Sequence, residues 1–141
     1  MEELIKINKT EQDINQLSPL TWAYVGDCVF ELYVRTYLVD ETNLKPHKLH
    51  IESIKYVKAS SQAKMLKNIY EELSEEEKNI VRRGRNAENH HLPKHSNVQE
   101  YMYSTAFEAL IGYLYLCKNT KRMKEIIKLA IHKNSKMLDC S

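Results

Sequence analysis

Glu108 is the first residue to account for. Between Tyr101 and Cys117 it is the only formally charged side chain, set among Ala, Leu, Ile and Tyr in a run long enough for a buried helix. A carboxylate there is costly unless it is paired, hydrogen-bonded or bound to a metal. One other stretch is comparable: from Ser18 to Val34 the only charges are Asp27 and Glu31. If the two runs pack together as helices, Asp27 and Glu108 can meet, and converging carboxylates need a shared proton or a divalent cation. Magnesium takes oxygen ligands and keeps several waters, so two carboxylates with phosphate oxygens and water are enough to hold it. The residues alone equally allow two buried acids satisfied by Tyr, Arg or backbone donors. Glu31, one helical turn from Asp27, is either an outer group of the same acidic face or a salt-bridge partner.

Helices must position these residues. Three Gly, three Pro and no sustained apolar alternation make the chain all-α. A short helix is expected around Glu2 to Ile7, and Asn8 to Gln16 reads as a polar loop. Ser18 as N-cap with Pro19 at the first helical position predicts a helix to about Leu38, followed by a connection over Asp40 to Lys45. Pro46 opens a helical region with an apolar stripe from Leu49 to Ile69, broken near Ala59-Ser60-Ser61. Ser74-Glu75-Glu76-Glu77 fits a capping box for a short helix ending near Arg83 or Gly84, and the five Glu from Glu71 to Glu77 read as helix-start, solvent-facing charges. Ser96-Asn97-Val98-Gln99 offers a second box, opening the helix that carries Glu108 and ends near Lys118. Thr120 can cap a last helix with Met123, Ile126, Ile127, Ala130 and Ile131 facing inward, frayed from Asn134. Between the two boxes, Arg85 to Asn97 has no apolar periodicity, and loops of that length in a compact domain are commonly functional.

A chain of 141 residues is long enough for one self-standing core and too short for a second ordinary module. Net charge is only +2, but its distribution is uneven. Arg82, Arg83, Arg85 and Lys94 face one acid, Glu88, with His90, His91 and His95 among them; Lys45 to Lys67 holds six Lys against Glu52. Such faces attract polyanions, although solvated helix faces look the same. Cys28, Cys117 and Cys140 are odd in number and widely spaced, which fits a reducing cytosol and structural thiols. The acidic N-terminus, Met1-Glu2-Glu3-Leu4, has no signal-peptide character, and neither apolar run suits a membrane span. The three loop histidines have no accompanying Cys, which speaks against zinc.

Several spaced motifs resemble the ribonuclease III catalytic domain, most closely its minimal bacterial form, Mini-ribonuclease III. They are Ala23-Tyr24-Val25-Gly26-Asp27, Lys45-Pro46 with Leu49-His50, Ser61-Gln62-Ala63, Arg82-Arg83-Gly84-Arg85-Asn86-Ala87, Pro93-Lys94, and Tyr103 to Leu114 around Phe107-Glu108-Ala109-Leu110-Ile111-Gly112. The resemblance covers roughly residues 17 to 130. It implies a ribonuclease III-like helical endonuclease domain over 1–141, with a core at about 17–133. It makes Asp27 and Glu108 the catalytic, magnesium-binding carboxylates. Full-length ribonuclease III has two further carboxylates where this chain has Ala23 and Thr105, so water must complete the metal's shell, with Glu31 and Thr105 in outer positions. It assigns Arg82, Arg83, Arg85, Lys94 and Lys58 to RNA, without an appended double-stranded-RNA-binding domain. It further implies a homodimer using the Ser18 to Val34 helix with Trp22 at the contact, cuts in both strands leaving 5′-phosphates, and base-paired stems of precursor 23S ribosomal RNA as substrate in a bacterial cytoplasm. A ribosomal-protein helper is left open. Two other readings stand beside it: a non-catalytic dimer that binds double-stranded RNA, and a nucleotide pyrophosphohydrolase built on Glu72 to Glu76.

Overall fold

Local caps set most of the helix boundaries. The computed structural model describes residues 5–87 and 97–139, with side chains as far as Asn134. These residues form seven α-helices and no strand: α1 Glu11–Asn15, α2 Pro19–Glu41, α3 Pro46–Val57, α4 Ala59–Ile69, α5 Glu75–Arg85, α6 Val98–Leu116 and α7 Thr120–Asp139, with a 3₁₀ turn at Tyr70–Glu72. Ser18 accepts from the Leu20 N–H and Pro19 occupies the first turn of α2, as its sequence predicts. Ser74 and Glu77 close a reciprocal capping box on α5 at 3.1 and 2.9 Å. Lys58 separates α3 from α4 because its extended backbone, ψ 154°, cannot continue the helix.

Four local expectations need correction. The N-terminal polar stretch is not all loop: Thr10 and Asp13 form a capping box, and Glu11–Asn15 is helical. Its Ile14 is buried and its carbonyl accepts the Trp22 indole N–H at 2.8 Å, so tertiary contact sustains a helix too short to stand alone. Residues 5–7 are not helical. The cap of α6 is Asn97, whose side chain accepts from the Gln99 and Glu100 N–H groups, while Ser96 lies outside the described residues. The last helix does not fray at Asn134; α7 continues to Asp139.

Helix α6 is the axis of the fold. It packs against α1, α2, α4, α5 and α7, and every residue from Ser104 to Leu114 is buried except Glu108. Edge-to-face pairs hold α2 on it: Phe30 with Phe107 at 5.1 Å and Trp22 with Tyr113 at 5.0 Å. The inward residues expected on the last helix, Met123, Ile126, Ile127, Ala130 and Ile131, are all buried.

The acidic cluster before α5 is likewise only partly a solvated face. Glu77 is 8% exposed and receives two hydrogen bonds from Arg122 of α7, at 2.8 and 2.9 Å. Glu72 pairs with Lys133 at 2.6 Å. These acids tie α5 and the 3₁₀ turn to α7.

Candidate active site

The crossing of α2 over α6 is unusually close. A Cβ on Gly26 would sit 1.8 Å from the carbonyl oxygen of Glu108, and one on Gly112 would sit 1.7 Å from that of Trp22. Both are far inside contact distance, so only glycine lets the two backbones touch in this way. Gly84 does the same for α5, where a Cβ would come 2.9 Å from that of Ala109. All three glycines of the chain are therefore used to seat helices on α6.

The consequence is chemical. With Gly26 lying against the Glu108 backbone, the next residue, Asp27, brings its carboxyl group into hydrogen-bonding contact with that of Glu108. Asp27 is exposed and Glu108 half-buried. Burial pushes the Glu108 carboxyl up to about 9, with the hydrogen bond and charge of Asp27 adding to the shift. The pair has no basic partner among the described hydrogen bonds and ion pairs. Two carboxylates in contact, one forced to keep its proton at neutral pH, fit a hard divalent cation that would replace the proton. Among the described residues no third His, Cys, Asp or Glu joins them, so water and substrate oxygens would supply the other ligands.

The remaining candidates fall in different places. Glu31 is bound to Arg35 at 3.1 Å on the surface of α2. Thr105 is buried and donates its hydroxyl to the Tyr101 carbonyl at 3.0 Å. Lys58, Arg82 and Arg85 come together along a groove of about 1400 Å³ between α4, α5 and the start of α6, joined by Lys64, Lys67 and Tyr103. Tyr103 precedes Glu108 by five residues, about 7.5 Å along the helix. Arg83 does not line that groove; it turns inward to Asn15 and Trp22. Lys94, His90, His91 and His95 lie outside the described residues. Trp22 is fully buried, which removes it as a contact for a second subunit, whereas Tyr24 on the same helix is 79% exposed. The signal for Tyr24 was helical phase: it stands two residues from Trp22, on another side of α2.

A sequence profile of the ribonuclease III domain matches residues 20–119, which include both carboxylates, both crossing glycines and the α4–α5 cations. The chain belongs to the ribonuclease III family. Its relatives there include Mini-ribonuclease 3 proteins: the Thermoanaerobacter sp. X514 protein is 50% identical over 122 residues, covering 86% of each chain. That of Staphylococcus aureus is 45% identical over 126 residues, covering 88% of this chain and 94% of its own. A crystal structure of a Fusobacterium nucleatum protein superimposes with a TM-score of 0.76 at 34% identity, covering 86% of this chain and 97% of that one. The Mini-ribonuclease 3 fold and the endoribonuclease class expected from the motifs are thus shown. No helix among the described residues is long and apolar enough to cross a membrane.

Proposed function

We propose that this Mini-ribonuclease 3 relative is a magnesium-dependent endoribonuclease that cuts double-stranded RNA, with Asp27 and Glu108 as its catalytic, metal-holding carboxylates. The observation that carries the reading is their contact at the Gly26–Gly112 crossing, with no basic side chain paired to them among the described residues. When bound, magnesium supplies activation of water and neutralisation of charge developing on the phosphodiester. The chain's own part is to fix two carboxylates from separate helices on a rigid crossing and to hold the duplex beside them. Lys58, Arg82 and Arg85 would bind its phosphates, reading an A-form helix by shape. Lys94 extends that set by resemblance alone. Glu31 and Thr105 would support the site from outside the metal's own ligands.

The chain acts as one catalytic domain over 1–141 in a homodimer, each subunit cutting one strand and leaving a 5′-phosphate. Tyr24, Cys28 and Leu32 recur every fourth residue on the exposed side of α2, an apolar strip suited to a second copy. Base-paired stems of precursor 23S ribosomal RNA, in a bacterial cytoplasm, are the substrate that the family relationship favours. The test is cleavage of a labelled duplex and its single strand with magnesium or EDTA, alongside folded Asp27→Asn and Glu108→Gln. Duplex-only, magnesium-dependent cutting lost in both variants supports the reading. Duplex binding without cutting would replace it with a non-catalytic RNA-binding dimer.

A further inference from the structure

Arg83 sits in an arginine-rich segment yet does not join its neighbours in the groove. At 100° per residue, Arg82 and Arg85 lie about 60° apart around α5, while Arg83 is about 160° from Arg85. Its Nη1 donates to the Asn15 Oδ1 at 3.1 Å and its Nη2 to the Asn15 carbonyl at 2.7 Å. The guanidinium carbon lies over the Trp22 ring, 4.6 Å from its centre. Among the described residues it has no acidic partner.

Around this contact the bonds close into a ring. The Trp22 indole donates to the Ile14 carbonyl at 2.8 Å, its ring meets Tyr113 edge-on at 5.0 Å, and the Asn15 amide donates to the Tyr113 hydroxyl at 3.3 Å. Arg83 of α5 thereby joins α1, α2 and α6 at one point. Trp22 is also the residue whose carbonyl oxygen Gly112 is pressed against. It stands five residues before Asp27 on the same rigid helix.

We infer that Arg83 is a positioning residue: by clamping Trp22 to Asn15 it fixes how α2 lies on α6, and so holds Asp27 against Glu108. This rests on the reading of that pair as the cleavage site. The chemistry explains why an arginine is used. A planar fork can satisfy a carbonyl and an amide oxygen of one residue while its face covers an indole, and a lysine ammonium cannot do both. Small displacements of reacting groups cost rate steeply, by up to about a hundredfold per ångström.

The test compares Arg83→Lys, Arg83→Gln and Asn15→Ala with wild type. Each is measured for kcat at saturating duplex, duplex affinity against salt without divalent cation, magnesium dependence, and fluorescence of Trp22, the single tryptophan. Both Arg83 variants are expected to lose about tenfold or more in kcat. Duplex affinity and its salt slope should stay as in wild type, half-saturation by magnesium should need several-fold more metal, and Trp22 emission should shift and quench more readily. Asn15→Ala keeps the backbone acceptor and should move the same quantities by less, so the inference does not depend on one variant folding. Three outcomes overturn it. One is full kcat and weakened affinity in Arg83→Gln, with the salt slope reduced by about one, restored by Arg83→Lys; that would make Arg83 a phosphate contact. Another is lost activity that follows only the unfolded fraction, with Trp22 emission unchanged. The third is wild-type behaviour in all three variants. Cleavage surviving in Asp27→Asn and Glu108→Gln would instead defeat the assignment of the site, and the Trp22 and RNA-affinity readouts would still judge the clamp.

Discussion

Glu77 and Glu108 are both drawn out of full solvent, and they are treated in opposite ways. Glu77 is held by a two-point contact with Arg122 and by the Ser74 cap. Burial alone would raise its pKa, but those donors outweigh burial and hold it below the usual glutamate range. Glu108 has no basic partner among the described residues and a second acid instead, and burial with Asp27 pushes it up to about 9. The first arrangement is complete within the chain and serves stability. The second has no such compensation among the described residues, which fits the cation site proposed for it.

Exchanging each acid for its amide breaks the comparison most directly. Glu108→Gln should abolish cleavage, by about a thousandfold or more, with the folded state as stable as wild type or more so. Glu77→Gln should leave cleavage per folded molecule intact and lower the melting temperature. Equal effects of the two changes on cleavage would end the distinction drawn here.

Next in size is the crossing that creates the carboxylate pair. Gly112→Ala places a methyl group 1.7 Å from the Trp22 carbonyl oxygen, so the helices must part. We expect a loss of about 3 kcal/mol or more in denaturant unfolding, together with lost cleavage. Retained stability with full activity would show that α2 and α6 need not touch.

Removing the cation from the paired site is expected to cost less. Arg122→Ala should destabilise by about 2 kcal/mol, since the pair is partly screened at the Arg122 side. Cleavage per folded molecule should not change.

The smallest effect is a pair of opposite pH dependences. Glu77 is lowered, so its contribution is present above its unfolded value near 4.5 and lost as pH falls through the folded value. Glu108 is raised, so between about 4.5 and about 9 the native state holds a proton that the unfolded chain has released. Metal-free protein should therefore lose stability as pH rises across that interval, and Glu108→Gln should flatten the decline. Magnesium should raise the melting temperature of wild type more at pH 8 than at pH 6, because it competes with that proton. A stability curve unaltered by Glu108→Gln would place Glu108 in ordinary solvent.

Much of the fold was legible because its signals are local. Ser18-Pro19, the Ser74 to Glu77 box and the lone acid among apolar neighbours at Glu108 each depend on residues within a few positions of one another. Helix α1 was legible in principle, through Thr10 and Asp13, but its single apolar residue gave no periodicity to notice. Glu77 was misread because its partner Arg122 lies 45 residues away. Trp22 was misplaced at a dimer contact because an aromatic residue in an apolar run does not reveal which side of the helix it faces.

The sequence by itself determined an all-helical chain, most helix starts and the two acids that had to be explained. Tertiary structure alone decided that Asp27 and Glu108, 81 residues apart, touch; that Arg83 turns away from Arg82 and Arg85; and that Glu77 is already neutralised. The reason is physical. Caps and periodicity follow from hydrogen bonds and side-chain spacing within a turn or two, whereas these pairings require distant backbones to meet at Gly26, Gly84 and Gly112, where the missing side chain lets them.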